Sequence, residues 1–258
     1  LDNVDIDEKF NELKANGQIE FVTFHQSYSY EQFVEGISVL PDEKDKSQVI
    51  YGVRNGIFKK ICENCEDTQK RYVLIIDEIN RGNISKIFGE LITLIEDDKR
   101  LGEDNEITVT LPYSQDIFGV PSNLYIIGTM NTADRSLVQL DTALRRRFDF
   151  EEMMPMYDIW NAKVNGFDLN EFLRKLNEKI TKELDREHQI GHSFLMKVSG
   201  IFELQRAWEN KIMPLLQEYF YADYDTLSNI IDKDTEYFKK VGDIWELNMK
   251  TSKDNFPK

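Results

Sequence analysis

The chain has 258 residues, of which 47 are Asp or Glu and 32 are Lys or Arg, so its formal net charge is −15. This acidic balance argues against broad binding of nucleic acid or of an anionic membrane, and a hydrophobic content of 41% argues against disorder. No apolar run approaches the ~20 residues of a membrane helix.

Strands and helices are predicted to alternate in the first part of the chain. Residues 19–25 (IEFVTFH) are rich in β-branched and aromatic residues and form a predicted strand. Apolar residues at helical spacing predict a helix over 30–37. A charged loop at 41–48 then leads to an amphipathic helix that follows the Asn55-Gly56 turn.

The next segment contains two buried strands. Residues 71–78 (RYVLIIDE) are apolar on both faces, as expected in the middle of a parallel sheet with helices on either side. Asn83 is a predicted N-cap for a helix that continues to residue 96. A hairpin strand is predicted near EITVTLPYS, and residues 124–131 (LYIIGTMN) form the second buried strand.

A helix is predicted over SLVQLDTALRRRF and a short final strand over DFEEMMP. After about residue 156 helical periodicity dominates. This pattern predicts an α/β domain at 1–156 followed by a helical domain at 157–258.

The chain has two cysteines, Cys62 and Cys65, and this low number suggests a reducing cytoplasm. A lone C-x-x-C motif is compatible with a redox pair, half of a zinc site, or two thiols one turn apart on a helix. The N-terminal LDNVDIDEKF has no signal-peptide pattern and no initiator Met, so a cytoplasmic fragment is expected.

Asp77 and Glu78 directly follow the first buried strand. Ligands of open parallel sheets bind at the carboxyl ends of strands. The aspartate could order Mg²⁺ and the glutamate could polarise an attacking water. The alternative is that the pair only ends the strand in a solvated loop.

Asn131 ends the second buried strand, where its amide could bind a phosphate or a water, or could bond the local backbone. Arg145, Arg146 and Arg147 lie together on a predicted helix and point about 100° apart, so they cannot all serve one ligand in one subunit. One could reach a neighbouring subunit and stabilise phosphoryl charge, or all could be solvated at the helix end.

The sequence contains no G-x-x-x-x-G-K-[ST] motif, because no glycine is followed by lysine. Such a loop wraps phosphates with its backbone amides and a lysine. The chain therefore lacks a P-loop.

Four segments together resemble the AAA+ domain of McrB-type proteins, the GTP-hydrolysing motor subunits of modification-dependent (type IV) restriction endonucleases. They are FVTFHQSYSYEQFVEGI, YVLIIDEINRGNISKIFGELITLIEDDKR, YIIGTMNTADRSLVQLDTALRRRFDF and IGHSF. The resemblance implies an AAA+-type parallel sheet, here without its first strand and P-loop, followed by a helical lid. It also implies a hexameric ring, Mg²⁺ with GTP or ATP, and a McrC-like nuclease partner, with DNA bound through regions not in this chain.

By this resemblance, Asp77 and Glu78 are the Walker B pair, with Mg²⁺ at Asp77 and Asn80 following in the same element. Asn131 matches sensor 1. Two further residues, Asp134 and Arg135, belong to the signature loop beside the nucleotide.

The resemblance also implies that Arg146 and Arg147 end the helix that offers arginine fingers in trans. His192 lies where the lid approaches the nucleotide, although packing within the lid is an equal alternative. The missing P-loop and its strand, which lies inside the sheet of these proteins, predict a fragment that is inactive alone.

Three functions follow from these observations. The first is a GTPase motor that drives DNA translocation for cleavage by a nuclease partner. The second is a non-enzymatic AAA+ module for assembly or partner binding. The third is an AAA+ ATPase that remodels proteins.

Overall fold

The computed structural model describes residues 3–41, 49–133, 142–159, 163–164, 166–232, 238–241 and 244–247. The chain divides into two compact units, residues 1–150 and 151–258. The domain boundary predicted at residue 156 stays a prediction. In the described part of the chain, no helix has the length and apolar character needed to cross a membrane.

The first unit contains helices, a small sheet and two hairpins. The helices are α1 (Asn3–Ala15), α2 (Tyr30–Phe33), α3 (Ile57–Asn64), α4 (Ile84–Phe88), α5 (Leu91–Leu94) and α6 (Thr142–Arg145). The strands are β1 (Ile19–Thr23), β2 (Glu35–Pro41), β3 (Val49–Asn55), β4 (Tyr72–Asp77), β5 (Val109–Thr110), β6 (Ile117–Phe118) and β7 (Leu124–Gly128).

The sheet that positions the acidic pair is parallel and has the order β1-β4-β7, with β4 in the middle. Thr23 of β1 pairs with Asp77, and Gly128 of β7 pairs with Ile76. The carboxyl ends of the three strands therefore meet at one edge. This confirms the predicted parallel arrangement of the two buried strands.

One face of this sheet packs on an aromatic core. Phe33 lies 5.0 Å from Phe58 and 4.7 Å from Phe88 between ring centroids, and all three side chains are buried. On the opposite face, Phe21 and Ile127 are about half exposed. The expectation that helices cover both faces is therefore not met within the described residues.

The hairpin of β2 and β3 corrects the predicted helix over 30–37. The helix ends at Phe33, and Ile37 lies on β2 opposite Val53. Residues 35–41 (EGISVLP) contain the β-branched Ile37 and Val39, which favour an extended chain once a partner strand is present. The helix predicted after Asn83 forms but breaks at Gly89, whose φ is +53°.

Asn83 caps α4, because its side chain accepts a hydrogen bond from the Lys86 amide. The hairpin predicted near EITVTLPYS is observed as β5 and β6. Residues 149–155, predicted as a strand, form no regular element. Their carboxylates are exposed and no described strand pairs with them, so the backbone lacks the hydrogen bonds that define a sheet.

The second unit is mainly helical, as predicted. Its helices are α7 (Leu169–Glu183), α8 (Ile201–Ala207), α9 (Met213–Tyr219) and α10 (Tyr224–Asp232), with a π-helical turn at Trp208–Ile212. Two small hairpins contain β8 (Lys163–Val164), β9 (Phe167–Asp168), β10 (Phe238–Val241) and β11 (Ile244–Leu247).

The core of the second unit forms around Trp208, which is fully buried and meets Phe172 edge-on at 6.0 Å between ring centroids. Asp168 caps α7 by accepting hydrogen bonds from the amides of Asn170 and Glu171. The apolar stripe of α7 faces this core, which explains why helical periodicity was readable in the sequence.

Candidate active site at the end of the central strand

The acidic pair lies where β4 leaves the sheet. β4 ends at Asp77, and Glu78 has φ +54° and ψ +45°, a left-handed conformation. A short 3-10 turn follows at Ile79–Arg81. A non-glycine residue in this conformation costs about 1–2 kcal/mol, and such residues persist where surrounding contacts hold them.

Thr129, directly after β7, supplies those contacts. Its amide donates to the Ile76 carbonyl at 2.9 Å, and its carbonyl accepts from the Ile79 amide at 2.9 Å. Its hydroxyl donates to Asp77 Oδ1 at 2.6 Å and accepts from the Glu78 amide at 3.3 Å. The backbone is thus held on both sides of the acidic pair.

Asn80 lies beside the pair and is buried, with 6% of its surface exposed. Its Nδ2 donates to the Asn131 carbonyl at 3.2 Å, so the ends of β4 and of the β7 segment are linked a second time. Asn80 Oδ1 is buried and has no hydrogen-bond partner among the described residues. This oxygen is an open acceptor at the strand ends.

Glu78 Oε2 is a second buried oxygen at this strand end. It is buried and accepts no hydrogen bond within the described part of the chain, although Arg81 Nε lies 3.0 Å away as a charge contact. Burying polar oxygens without hydrogen bonds is costly, so such atoms are typical of sites that a ligand completes.

Asn131 shows one of the two behaviours that the sequence allowed, the bonding of its local backbone. Its side-chain Oδ1 accepts from the Ala133 amide at 3.0 Å, which is the local backbone bonding expected of a strand-ending asparagine. Its carbonyl joins it to Asn80. The structure therefore brings together Asp77, Glu78, Asn80 and Asn131, four of the predicted site residues.

The three consecutive arginines have different surroundings. The Arg145 guanidinium lies 5.9 Å from the centroid of the Phe150 ring. Arg147 is mostly buried and forms an ion pair with Glu96 of the same chain. Arg146 is exposed and forms no ion pair with a described residue. Of the two predicted fingers, Arg146 alone is presented to solvent.

Three other predicted residues lie outside the described residues or in the second unit. Asp134 and Arg135 lie outside the described residues. His192 belongs to the second unit, where its Nδ1 accepts from the Met156 amide at 3.0 Å. That bond fits a residue packed within its own unit.

Sequence reasoning missed Thr129 and Arg81. A signal for Thr129 was present: pairing the ends of the two buried strands places it next to Asp77. Arg81 lies three residues after Glu78, at the spacing of an ion pair within one helical turn.

The C-x-x-C motif belongs to the core of the first unit. Both thiols are free and buried, and Cys65 Sγ donates to the Ile61 carbonyl. Burial raises the pKa of the Cys62 thiol well above its usual value and that of Cys65 to about 12. Among the described residues, no group of three His, Cys, Asp or Glu side chains could hold a metal ion.

The strand-end cluster therefore presents oxygen acceptors: the Asp77 and Glu78 carboxylates and Asn80 Oδ1. Such hard oxygen donors suit Mg²⁺ and its waters better than zinc or copper. The arrangement can orient a hydrated cation and accept a proton from water.

Comparison with known proteins places these residues in a family. The AAA domain (dynein-related subfamily) matches residues 6–148, and the alpha-helical lid domain of McrB matches residues 168–228. The EcoKMcrB subunit of a type IV methyl-directed restriction enzyme from Escherichia coli K12 is 40% identical over 231 residues, covering 81% of this chain and 49% of that protein.

A second relative is YdiS, a component of the type II restriction enzyme BsuMI from Bacillus subtilis 168. It is 26% identical over 249 residues, covering 80% of this chain and 71% of that protein. The chain thus spans about half the length of the E. coli relative. The chain belongs to the dynein-related subfamily of AAA domains, with a parallel sheet followed by the helical lid domain of McrB.

Proposed function

We propose that this chain is part of a GTP-hydrolysing motor subunit of a McrBC-like restriction system. The motor acts in the cytoplasm as a hexameric ring and drives DNA translocation for cleavage by a McrC-like nuclease. DNA recognition resides in regions other than this chain. The support is the similarity to two restriction-enzyme components together with the geometry of the strand-end cluster.

One observation carries the enzymatic part of the proposal. Glu78 is in a left-handed conformation, is braced by Thr129, and keeps Oε2 buried without a hydrogen bond. Oε2 also lies 3.0 Å from Arg81 Nε, so the carboxylate is held by a charge contact as well as by its strained backbone. A carboxylate fixed in this way is placed to accept a proton from an attacking water.

The residues present fit a magnesium nucleotide. Asp77 would order a water of the Mg²⁺, and Asn80 Oδ1 offers a further acceptor nearby. The cation, when bound, neutralises charge on the transferred phosphoryl group. Glu78 Oε2 accepts the proton of the attacking water, and Asn131 orients the water or a phosphate oxygen.

Arg146 is proposed as the finger that acts in trans. It is exposed at the end of α6, whereas Arg147 is held by Glu96 in the same chain. An arginine from a neighbouring subunit can stabilise transition-state charge. The signature-loop roles of Asp134 and Arg135, and a nucleotide contact by His192, complete the proposal.

The 258-residue chain alone is expected to hydrolyse GTP no faster than background, because its sequence has no G-x-x-x-x-G-K-[ST] motif to hold the phosphates. The same absence is what favours the second candidate, a non-enzymatic AAA+ module that binds ring neighbours or a partner.

The test uses the full-length product of the gene that encodes this chain, assayed with GTP and ATP in parallel. Glu78→Gln is expected to lower kcat at least about 100-fold, because it removes the general base. Glu103→Gln, at an exposed position, is the matched control and keeps the parental rate.

Hydrolysis at the parental rate in the Glu78→Gln variant would contradict the assignment of Glu78 as the general base. Ring assembly without any nucleotide turnover by the parent protein would favour the assembly module. Faster turnover of ATP than of GTP would change the proposed nucleotide and leave the site intact.

A further inference from the structure

We propose that Thr129 is the positioning residue of the acidic pair, and that its hydroxyl sets the orientation of Asp77 and the backbone of Glu78. The inference rests on the proposed function, since it concerns the same site. It adds a residue that the sequence pattern did not single out.

The Thr129 hydroxyl both donates and accepts a hydrogen bond. It donates to Asp77 Oδ1 at 2.6 Å, a short distance typical of a bond from a hydroxyl to a carboxylate. Its oxygen accepts from the Glu78 amide at 3.3 Å. One side chain thus joins the two residues that the chemistry requires at fixed positions.

The Thr129 backbone makes this hydroxyl a rigid support. Its amide and carbonyl bond the residues that flank the acidic pair, Ile76 and Ile79, each at 2.9 Å. The side chain cannot shift along the strand without breaking these bonds. Since Oδ1 of Asp77 is bonded to this fixed hydroxyl, the carboxylate is held in one orientation.

The sheet contains an internal comparison. Asp77 lies between two threonines: Thr23 pairs with it in β1, and Thr129 follows β7 on the other side. Both threonines are exposed at the same edge. Within the described residues only the Thr129 hydroxyl is hydrogen-bonded to Asp77, so Thr23 is a matched control.

The experiment compares Thr129→Val, Thr129→Ser and Thr23→Val in the full-length protein. Loss of a supporting hydrogen bond to a metal-orienting residue typically costs about 10–100-fold, so Thr129→Val should lower kcat for GTP by that factor with little change in KM. Thr129→Ser keeps the hydroxyl and should retain most of the rate. Thr23→Val should behave as the parent.

A second readout does not depend on turnover. Binding of Mn²⁺ in the presence of a non-hydrolysable GTP analogue, followed by electron paramagnetic resonance, should weaken about tenfold in Thr129→Val and remain unchanged in Thr129→Ser. Melting temperatures identify any variant that is unfolded. If Thr129→Val is unfolded, Thr129→Ala replaces it in both measurements.

Equal rates and Mn²⁺ affinities for Thr129→Val and Thr23→Val, with Glu78→Gln inactive, would overturn the inference and leave the proposed function standing. Equal damage in Thr129→Ser and Thr129→Val would also overturn it, because packing and not the hydroxyl would then matter. Hydrolysis unaffected by Glu78→Gln removes the proposed function itself, and the Mn²⁺ affinities then decide the role of Thr129.

Discussion

Two buried asparagines show how differently the two units use polar side chains. Asn177 in α7 donates to the Tyr157 hydroxyl and the Ile190 carbonyl, both at 3.0 Å, and accepts from the Ile190 amide at 2.7 Å. Asn80 donates once, to Asn131, and its Oδ1 has no hydrogen-bond partner in the described part of the chain. The lid asparagine holds its unit together, whereas the strand-end asparagine keeps an acceptor open.

A polar cluster of Lys59, Glu35 and Asp116, away from the strand ends, shows that the first unit also uses polar side chains to hold its elements together. Lys59 and Glu35 are buried, and Lys59 Nζ lies 2.8 Å from both Glu35 Oε2 and Asp116 Oδ2. Glu35 Oε1 accepts from the amides of Tyr113 and Ser114. The cluster joins β2, α3 and the β5–β6 hairpin. The contrast is therefore between sites and not simply between units.

The largest effect on stability is expected in the cluster of Lys59, Glu35 and Asp116. Lys59→Met leaves the Glu35 carboxylate buried without its cation, and breaking a buried pair in this way costs about 3–5 kcal/mol of unfolding free energy. Urea unfolding of the full chain measures the change. Lys60→Met, at an exposed neighbouring position, is the control. A loss of unfolding free energy below about 1 kcal/mol would show that the cluster does not stabilise the unit.

The same cluster predicts a pH dependence. Burial raises the pKa of Glu35, but the Lys59 ammonium and the Ser114 and Tyr113 amides outweigh burial and hold it below its usual 4.5. A lowered carboxylate pKa stabilises the fold above the unfolded value and loses this contribution as pH falls through the folded value. Unfolding free energy should therefore fall below pH 4.5, and less steeply in Glu35→Gln.

A smaller loss is expected in the lid. Asn177→Leu removes the side-chain partner of both backbone groups of the buried Ile190, at a cost of about 1–3 kcal/mol. Denaturant unfolding followed by tryptophan fluorescence, to which Trp208 of the same core contributes, reports this change. A neutral result would mean that Asn177 and Asn80 do not differ in the way proposed.

The smallest effect on stability is expected for Asn80→Leu. This change removes one hydrogen bond of 3.2 Å and also removes an oxygen that had no partner, so we expect less than about 1 kcal/mol of lost stability. Unfolding of this variant and of Asn177→Leu under identical conditions measures the difference. Equal losses in the two variants would contradict the contrast between them.

Local sequence signals predicted much of the fold. The buried strands around 71–78 and 124–131, the Asn83 cap and the helical lid were readable, because each depends on residues close together in the chain. The β2–β3 hairpin was missed at Ile37, because its strand state depends on pairing with Val53 sixteen positions away. Pairing over such distances is not encoded in helical spacing.

The sequence predicted some residues of the candidate site but did not distinguish others. Asp77, Glu78 and Asn131 were named because they end apolar strands, and the structure brings them together with Asn80. Arg146 and Arg147 could not be separated by sequence, since adjacent arginines look alike. Their difference depends on Glu96, which lies in another segment and pairs with Arg147.

By itself the sequence determined the order of elements, the position of the acidic pair after a buried strand and the absence of a P-loop motif. These properties follow from hydrophobic periodicity and from residue identity at fixed spacing. Tertiary structure alone decided that Thr129 braces Asp77 and Glu78, that Arg147 forms an ion pair with Glu96, and that Asn80 Oδ1 is buried without a hydrogen bond among the described residues. Those outcomes depend on strand register and on contacts between distant segments, which only the folded chain brings within hydrogen-bond distance.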